Sequence, residues 1–266
     1  MTNTTTTQAQ TAWLKTAETL AKKFAKDHRL LLARTERQLS ASFEIGTLHA
    51  LLRFYAGQGY LLTPKNLTPD NEYKYLTSPA GNPLNYSYIE ALGSDGTFEI
   101  RQQVRVKSHV DPDIAFTPDI VVLLKDADIS KSRDPAYANG KRDFYCVSST
   151  SVVAAHECKS MNPFPELMVS FIGMLVAAHE WYPDAPSVTH TTNHGHLAPT
   201  LFVGGSARGL HFKMIKAMQQ SYKLNIVCGL HQGTWSLKEA SNRLLWAPAT
   251  STDHVATAFD DNDIPF

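Results

Sequence analysis

Val152-Val153-Ala154-Ala155-His156-Glu157-Cys158-Lys159 opens as an apolar run and closes on an acid and a base two positions apart. Its β-branched, apolar start reads as a buried strand. In a strand, alternate residues share a face, so Glu157 and Lys159 project together while Cys158 turns away. Ionisable groups at such a position are costly without partners. Asp119 is in the same situation: it follows Thr117-Pro118 and leads into Ile120–Leu124, a continuous apolar run expected of a central strand.

Working outward from these two strands, strand and helix patterns alternate. Glu166–Trp181 has the apolar density of a buried helix, with Pro165 at a favourable start. Strand Thr200–Gly204, helix Ala207–Tyr222 and strand Leu224–Cys228 follow, which implies an α/β core with at least one parallel pairing. Upstream, Tyr86–Leu92 and Phe98–Lys107 flank the turn residues Gly93-Ser94-Asp95-Gly96 and predict a β-hairpin. A helix is expected over Ser42–Gly57, and an amphipathic helix or two over Thr11–Gln38. Pro64–Pro83 reads as a loop, and the polar stretch Lys125–Gly140 as an insertion at the edge of the fold. Residues 1–40 are thus expected to be a helical segment, 41–247 the main domain and 248–266 a flexible tail.

Composition narrows the function classes. The 266 residues carry 25 acidic and 25 basic groups, so no global positive field advertises a polyanionic partner and nucleic-acid binding needs a local patch. Cys146, Cys158 and Cys228 are widely spaced and odd in number, the usage of reduced thiols. No window has the roughly 18 apolar residues of a membrane span, and the polar amino terminus does not read as a secretion signal. The expectation is a soluble cytoplasmic protein with no membrane partner.

Two carboxylates from neighbouring strands can hold a Mg²⁺ or Mn²⁺ ion that bridges to substrate phosphate. An adjacent ammonium can stabilise the extra phosphate charge, or orient and deprotonate water. Pro118-Asp119 followed by Glu157-Cys158-Lys159 resembles the PD-(D/E)XK nuclease superfamily, and the order of elements over roughly Glu44–Cys228 is similar to that family's core. The separation of 38 positions from Asp119 to Glu157 exceeds the family's tight hairpin and implies an insertion.

The resemblance implies a restriction-endonuclease-like fold, a central mixed sheet flanked by helices. It also implies metal-dependent hydrolysis of phosphodiester bonds, with DNA as the expected substrate. Asp119, Glu157 and Lys159 are then catalytic, Asp119 and Glu157 binding the metal. Many members add one more acid, and Glu90 is placed ahead of Glu44, whose charge also suits the first turn of a helix. Arg101, Arg105 and Lys107 alternate with apolar positions and are candidates for contacting a phosphate backbone. Homodimers are common where both strands of a duplex are cut, and a homodimer is carried as an expectation for that case. Two other patterns receive plainer readings. His190, His194 and His196 are expected in a surface or substrate-facing loop rather than at zinc, and Gly204–Gly209 in a tight turn.

The last eight residues, Phe259-Asp260-Asp261-Asn262-Asp263-Ile264-Pro265-Phe266, resemble the carboxy-terminal tip of bacterial single-stranded DNA-binding proteins. That resemblance implies a docking peptide, with Asp260, Asp261, Asp263, Ile264, Pro265 and Phe266 engaging genome-maintenance proteins that recognise the tip. The two resemblances together suggest a nuclease of bacterial or phage defence or DNA processing. The competing expectation is a catalytically silent, nuclease-like DNA-binding adaptor that works through its tail.

Overall fold

A computed structural model describes residues 19, 39–133, 143–179, 196–222, 224–230, 235–240 and 243–248. The apolar positions of Phe43, Leu48, Leu51, Leu52 and Tyr55 recur at helical spacing, and they lie buried along helix α1 (Leu39–Gly57). The helix ends where Gly59 takes a left-handed φ of 87°, a conformation glycine adopts without strain.

The chain then lays down β1 (Leu61–Lys65), β2 (Tyr88–Gly93) and β3 (Gly96–Gln102), followed by β6 (Ile120–Leu124) and β9 (Val152–Lys159). Within this set each adjacent pair is antiparallel. Beyond β9, β10 (Thr200–Val203) and β11 (Asn225–Val227) pair parallel, connected through helices α2 (Pro165–His179) and α3 (Gly209–Ser221). The result is a seven-stranded mixed sheet in the order β1-β2-β3-β6-β9-β10-β11.

Strand alternation divides the core between the two faces. Ile120 and Val122 pack with Ile100, Ala154 and the apolar stripe of α1. Val121 and Leu123 pack with Ala155, Leu201, Val203 and residues Met168, Phe171 and Leu175 of α2. Each of Ile120, Val121, Val122 and Leu123 is fully buried, which is why this run is apolar throughout. Burial of each such side chain contributes about 1.5–3 kcal/mol relative to exposure. Among the described residues no helix is long and apolar enough to cross a membrane.

A second sheet of four strands corrects two expectations. Strands β4 (Arg105–Lys107), β5 (Ala115–Phe116), β7 (Ser130–Arg133) and β8 (Asp143–Ser148) pair in the order β5-β4-β8-β7. Phe98–Lys107 is therefore not one strand. Gln103 adopts a left-handed φ of 54°, which ends β3 and sends Arg105–Lys107 into the smaller sheet. The stretch read as an insertion contributes β7, whose Ser-Lys-Ser-Arg sequence at a sheet edge has no apolar alternation to announce it. A separate ribbon of β12 (Trp235–Ala240) with β13 (Arg243–Pro248) precedes the segment expected to be a tail. The predictions for Thr11–Gln38, His190, His194 and Phe259–Phe266 lie outside the described residues, apart from Thr19.

Candidate active site

Strand pairing brings the acid before β6 to the acid and base at the end of β9. Ile120 is opposite His156 in the antiparallel register, so Asp119 lies beside Glu157 and Cys158. The Cys158 amide donates to Asp119 Oδ2 at 2.7 Å, fixing that carboxylate from the backbone. Lys159 Nζ donates to the same oxygen at 3.1 Å and to Glu157 Oε2 at 2.6 Å. Glu157 and Lys159 share one face while Cys158 lies in the core on the other, as the period of the strand requires.

A third carboxylate arrives from α1. Glu44 is buried, accepting from Gln102 Nε2 at 3.1 Å and from Gln103 Nε2 at 3.2 Å. The Gln103 amide also donates to Asp119 Oδ1 at 2.9 Å, so one side chain bridges two carboxylates. A glutamine in left-handed backbone is strained by about 1–3 kcal/mol, a cost that persists where surrounding contacts over-determine it. The surroundings here do so: Gln103 N–H donates to the backbone oxygen of Asp119 at 3.1 Å.

The electrostatics follow from three acids and one base in a largely buried space. Burial raises the Glu44 carboxyl to about 8, with the charge of Asp119 adding to it. Burial likewise raises Glu157 to about 8, again with Asp119 adding to it. Burial works against the Lys159 ammonium, but Asp119 and Glu157 more than offset it, and the net shift is upward. Lys159 thus stays protonated at neutral pH, which favours the charge-stabilising role over proton abstraction.

Among the described residues, no three His, Cys, Asp or Glu side chains are so arranged that they could hold a metal ion as they are placed. The donor chemistry nevertheless fits a hard divalent cation, because the oxygens of Asp119, Glu157 and Glu44 outnumber the one ammonium and two of the acids are driven toward their neutral forms. A buried oxygen at the same place, Gln102 Oε1, has no hydrogen-bond partner.

The structure does not bring the other predicted residues here. Glu90 pairs with Lys65 at 3.1 Å and Lys125 at 3.6 Å. Cross-strand register puts it in line with Glu99 and Leu123, four residues along from Asp119 and two strands away. Glu44 is the acid at the site, and it stands beyond the first turn of α1, where the helix-dipole reading does not apply.

Arg101 is buried, bonded to Glu99 at 2.7 Å and stacked 3.5 Å from the Tyr88 ring centroid, so it offers no surface to a phosphate. Arg105 and Lys107 stand on the smaller sheet. His196 stands in the loop before β10 as expected, but it is buried rather than at the surface, its ring 4.3 Å from that of Phe98 and its Nε2 3.2 Å from Asp95. In the Gly204–Gly209 turn the first two amides bond Lys159 O at 2.8 Å and Met161 O at 2.9 Å, securing the end of β9 rather than facing an anion.

Sequence reasoning missed Gln102 and Gln103. Their one signal is a pair of amides interrupting an alternating strand.

A mixed sheet with helices on both faces defines an α/β protein, carrying a cluster of three acids and a lysine at the end of its central strands. Comparisons with protein-family models, with curated proteins and with solved structures give no match to this chain.

Proposed function

We propose that the chain is a divalent-metal-dependent nuclease of PD-(D/E)XK type, hydrolysing phosphodiester bonds in DNA. The observation that carries this reading is the convergence of three carboxylic acids, Glu44, Asp119 and Glu157, on one lysine, Lys159. Asp119, Glu157 and Glu44 are the residues to hold Mg²⁺ or Mn²⁺, which when bound supplies a Lewis acid to the phosphate and activates water. Asp119 is oriented by the Cys158 amide and by Gln103, so its oxygens are fixed before any ligand arrives. Lys159, protonated and bonded to both neighbouring acids, is placed to meet the charge that develops on the phosphate.

The test is a cleavage assay on plasmid, linear duplex and single-stranded DNA with Mg²⁺, Mn²⁺ or EDTA. Metal-dependent cutting that disappears in Asp119→Ala and Lys159→Ala is expected. Absence of cutting by the intact protein, or cutting retained by both variants, overturns the reading in favour of an adaptor that binds without catalysis.

The tail belongs to the same proposal. Residues Asp260, Asp261, Asp263, Ile264, Pro265 and Phe266 form a docking peptide for proteins that recognise the tip of single-stranded DNA-binding proteins, supported by its acidic run followed by Ile264-Pro265-Phe266. A labelled peptide of residues 259–266 is expected to bind such a protein and to lose binding on Phe266→Ala. Equal binding by both peptides overturns this part.

A further inference from the structure

Among the described helices, α3 alone has no fully buried residue. Met214, Ile215 and Met218 rest half-buried against the core that holds Val203 and Ile226. The opposite face carries Phe212, Lys213, Lys216, Ala217 and Gln220, all exposed and recurring at the three- and four-residue spacing of one helix side. Leu210 and Phe212 stand at the two edges of that face and remain 63% and 61% exposed.

The charge on this face is uncompensated. Lys213 and Lys216 are one turn apart, a spacing at which like charges repel. Helix α3 contains no acid, and α2 packed beside it has only Glu166, in its first turn. Among the described residues neither lysine is paired with a carboxylate.

Residues 249–266 have the opposite character. They include Asp253, Asp260, Asp261 and Asp263 but no lysine or arginine, and Ile264, Pro265 and Phe266 follow directly behind the acids. They continue from Pro248 at the end of β13, and both β13 and α3 lie against β11. A stretch of that length reaches at most about 60 Å, against about 20 Å for the whole of α3.

Magnitudes decide what such a face can hold. Stable contacts between separate proteins bury roughly 1,200–2,000 Å², more than one side of a short helix offers. A tethered segment meets the face at an effective concentration on the order of millimolar, so two lysines and two apolar side chains suffice. Nucleic acid would answer the lysines but gain little from Leu210, whereas the acidic-then-apolar order of 260–266 answers both.

We propose that α3 is the docking surface for the chain's own acidic segment: Asp260, Asp261 and Asp263 lie over Lys213 and Lys216, while Ile264 and Phe266 cover Leu210 and Phe212. The inference deepens the reading of the tail as a docking peptide and rests on it for its consequence. The same residues serve both contacts, so a partner protein must displace α3 to take the tail. Docking on α3 itself requires no partner.

The test is zero-length carbodiimide cross-linking of the full chain, which joins a carboxylate to an amine only where they touch, followed by mass spectrometry. Links from Asp260, Asp261 or Asp263 to Lys213 or Lys216 are expected in clear excess over links to Lys65 and Lys74. Phe266→Ala and Phe212→Ser leave every reactive group in place but remove apolar burial, and each is expected to lower those links by about ten-fold or more. An equal mixture of ¹⁴N and ¹⁵N protein is expected to give links within one chain.

Links spread evenly over the surface lysines, or yields unchanged in both variants, overturn the proposal. Mixed-isotope links also overturn it and assign the face to a second copy. Loss of DNA affinity in Lys213→Gln/Lys216→Gln, without tail links in the parent, assigns it to nucleic acid instead. A tail that links to α3 while its peptide binds no tip-recognising protein overturns the partner reading alone; the converse result overturns only docking on α3.

Discussion

Gln103 holds Asp119 twice, through its backbone amide to the Asp119 carbonyl at 3.1 Å and through its side-chain amide to Asp119 Oδ1 at 2.9 Å. The same side-chain nitrogen reaches Glu44, so replacing it by an isosteric apolar group strips donors from two buried carboxylates. Gln103→Leu is expected to lose about 1–3 kcal/mol of stability without metal, the usual cost of unsatisfied buried acceptors. Urea unfolding in EDTA measures this; a change below about 0.5 kcal/mol contradicts the role assigned to the amide.

The pH dependence of stability separates into two windows. Glu44 and Glu157 titrate near 8 in the folded chain against an ordinary 4.5, so the folded state binds more protons between those values and stability falls as pH rises through them. His156 acts oppositely: burial depresses it to about 3 from 6.5, and the stability it contributes is lost as pH falls below 6.5. Between about pH 6.5 and 8 only the carboxylates act. Melting temperature in EDTA is expected to decline across that interval, and the decline to flatten in Glu44→Gln or with saturating Mg²⁺. A wild-type profile that rises there would mean that burial and the charge of Asp119 do not hold the two carboxyls above their ordinary range.

His156 itself offers an independent check. It is fully buried beside Phe202, and neither ring nitrogen has a hydrogen-bond partner. An apolar residue of similar size removes a polar group that burial penalises, so His156→Leu is expected to gain about 1–3 kcal/mol at pH 5 and less at pH 8. Chemical denaturation at the two pH values reads the difference. Destabilisation at both would show that the imidazole has a structural partner.

Two glutamates give opposite expectations for catalysis. Glu44→Gln alters a carboxylate at the site and is expected to lower metal-dependent cleavage by about 10- to 100-fold. Glu90→Gln breaks only the exposed pairing with Lys65 and Lys125 and is expected to leave the rate unchanged. Side-by-side rates at several Mg²⁺ concentrations decide, and the reverse pattern removes Glu44 from the site.

What was legible in the sequence follows from periodicity and burial. Ile120–Leu124 and Val152–Lys159 could be read because a fully buried strand has to be apolar, and their terminal charges stood out against that background. The choice of Glu90 over Glu44 was made on local flanking, whereas the contact is set by how α1 crosses the sheet, a long-range relation that neighbouring residues do not encode. The small sheet escaped notice because its strands are short and half exposed, leaving alternation too weak to separate from loop. Arg101 and Arg105 seemed to share a face only because the left-handed turn at Gln103 between them has no sequence signature of the kind glycine supplies.

Between Gln103 and Asp119 the chain makes an excursion: it departs from the large sheet, adds β4 and β5 to the small one, and returns. Glu44, Asp119, Glu157 and Lys159 all lie outside the interior of that excursion, while Arg105 comes from within it and stacks on Phe144 of β8 alongside. The acid–lysine cluster and the small sheet are thus encoded by separable stretches. Recombination could replace the small sheet wholesale while the acids and the lysine kept their places.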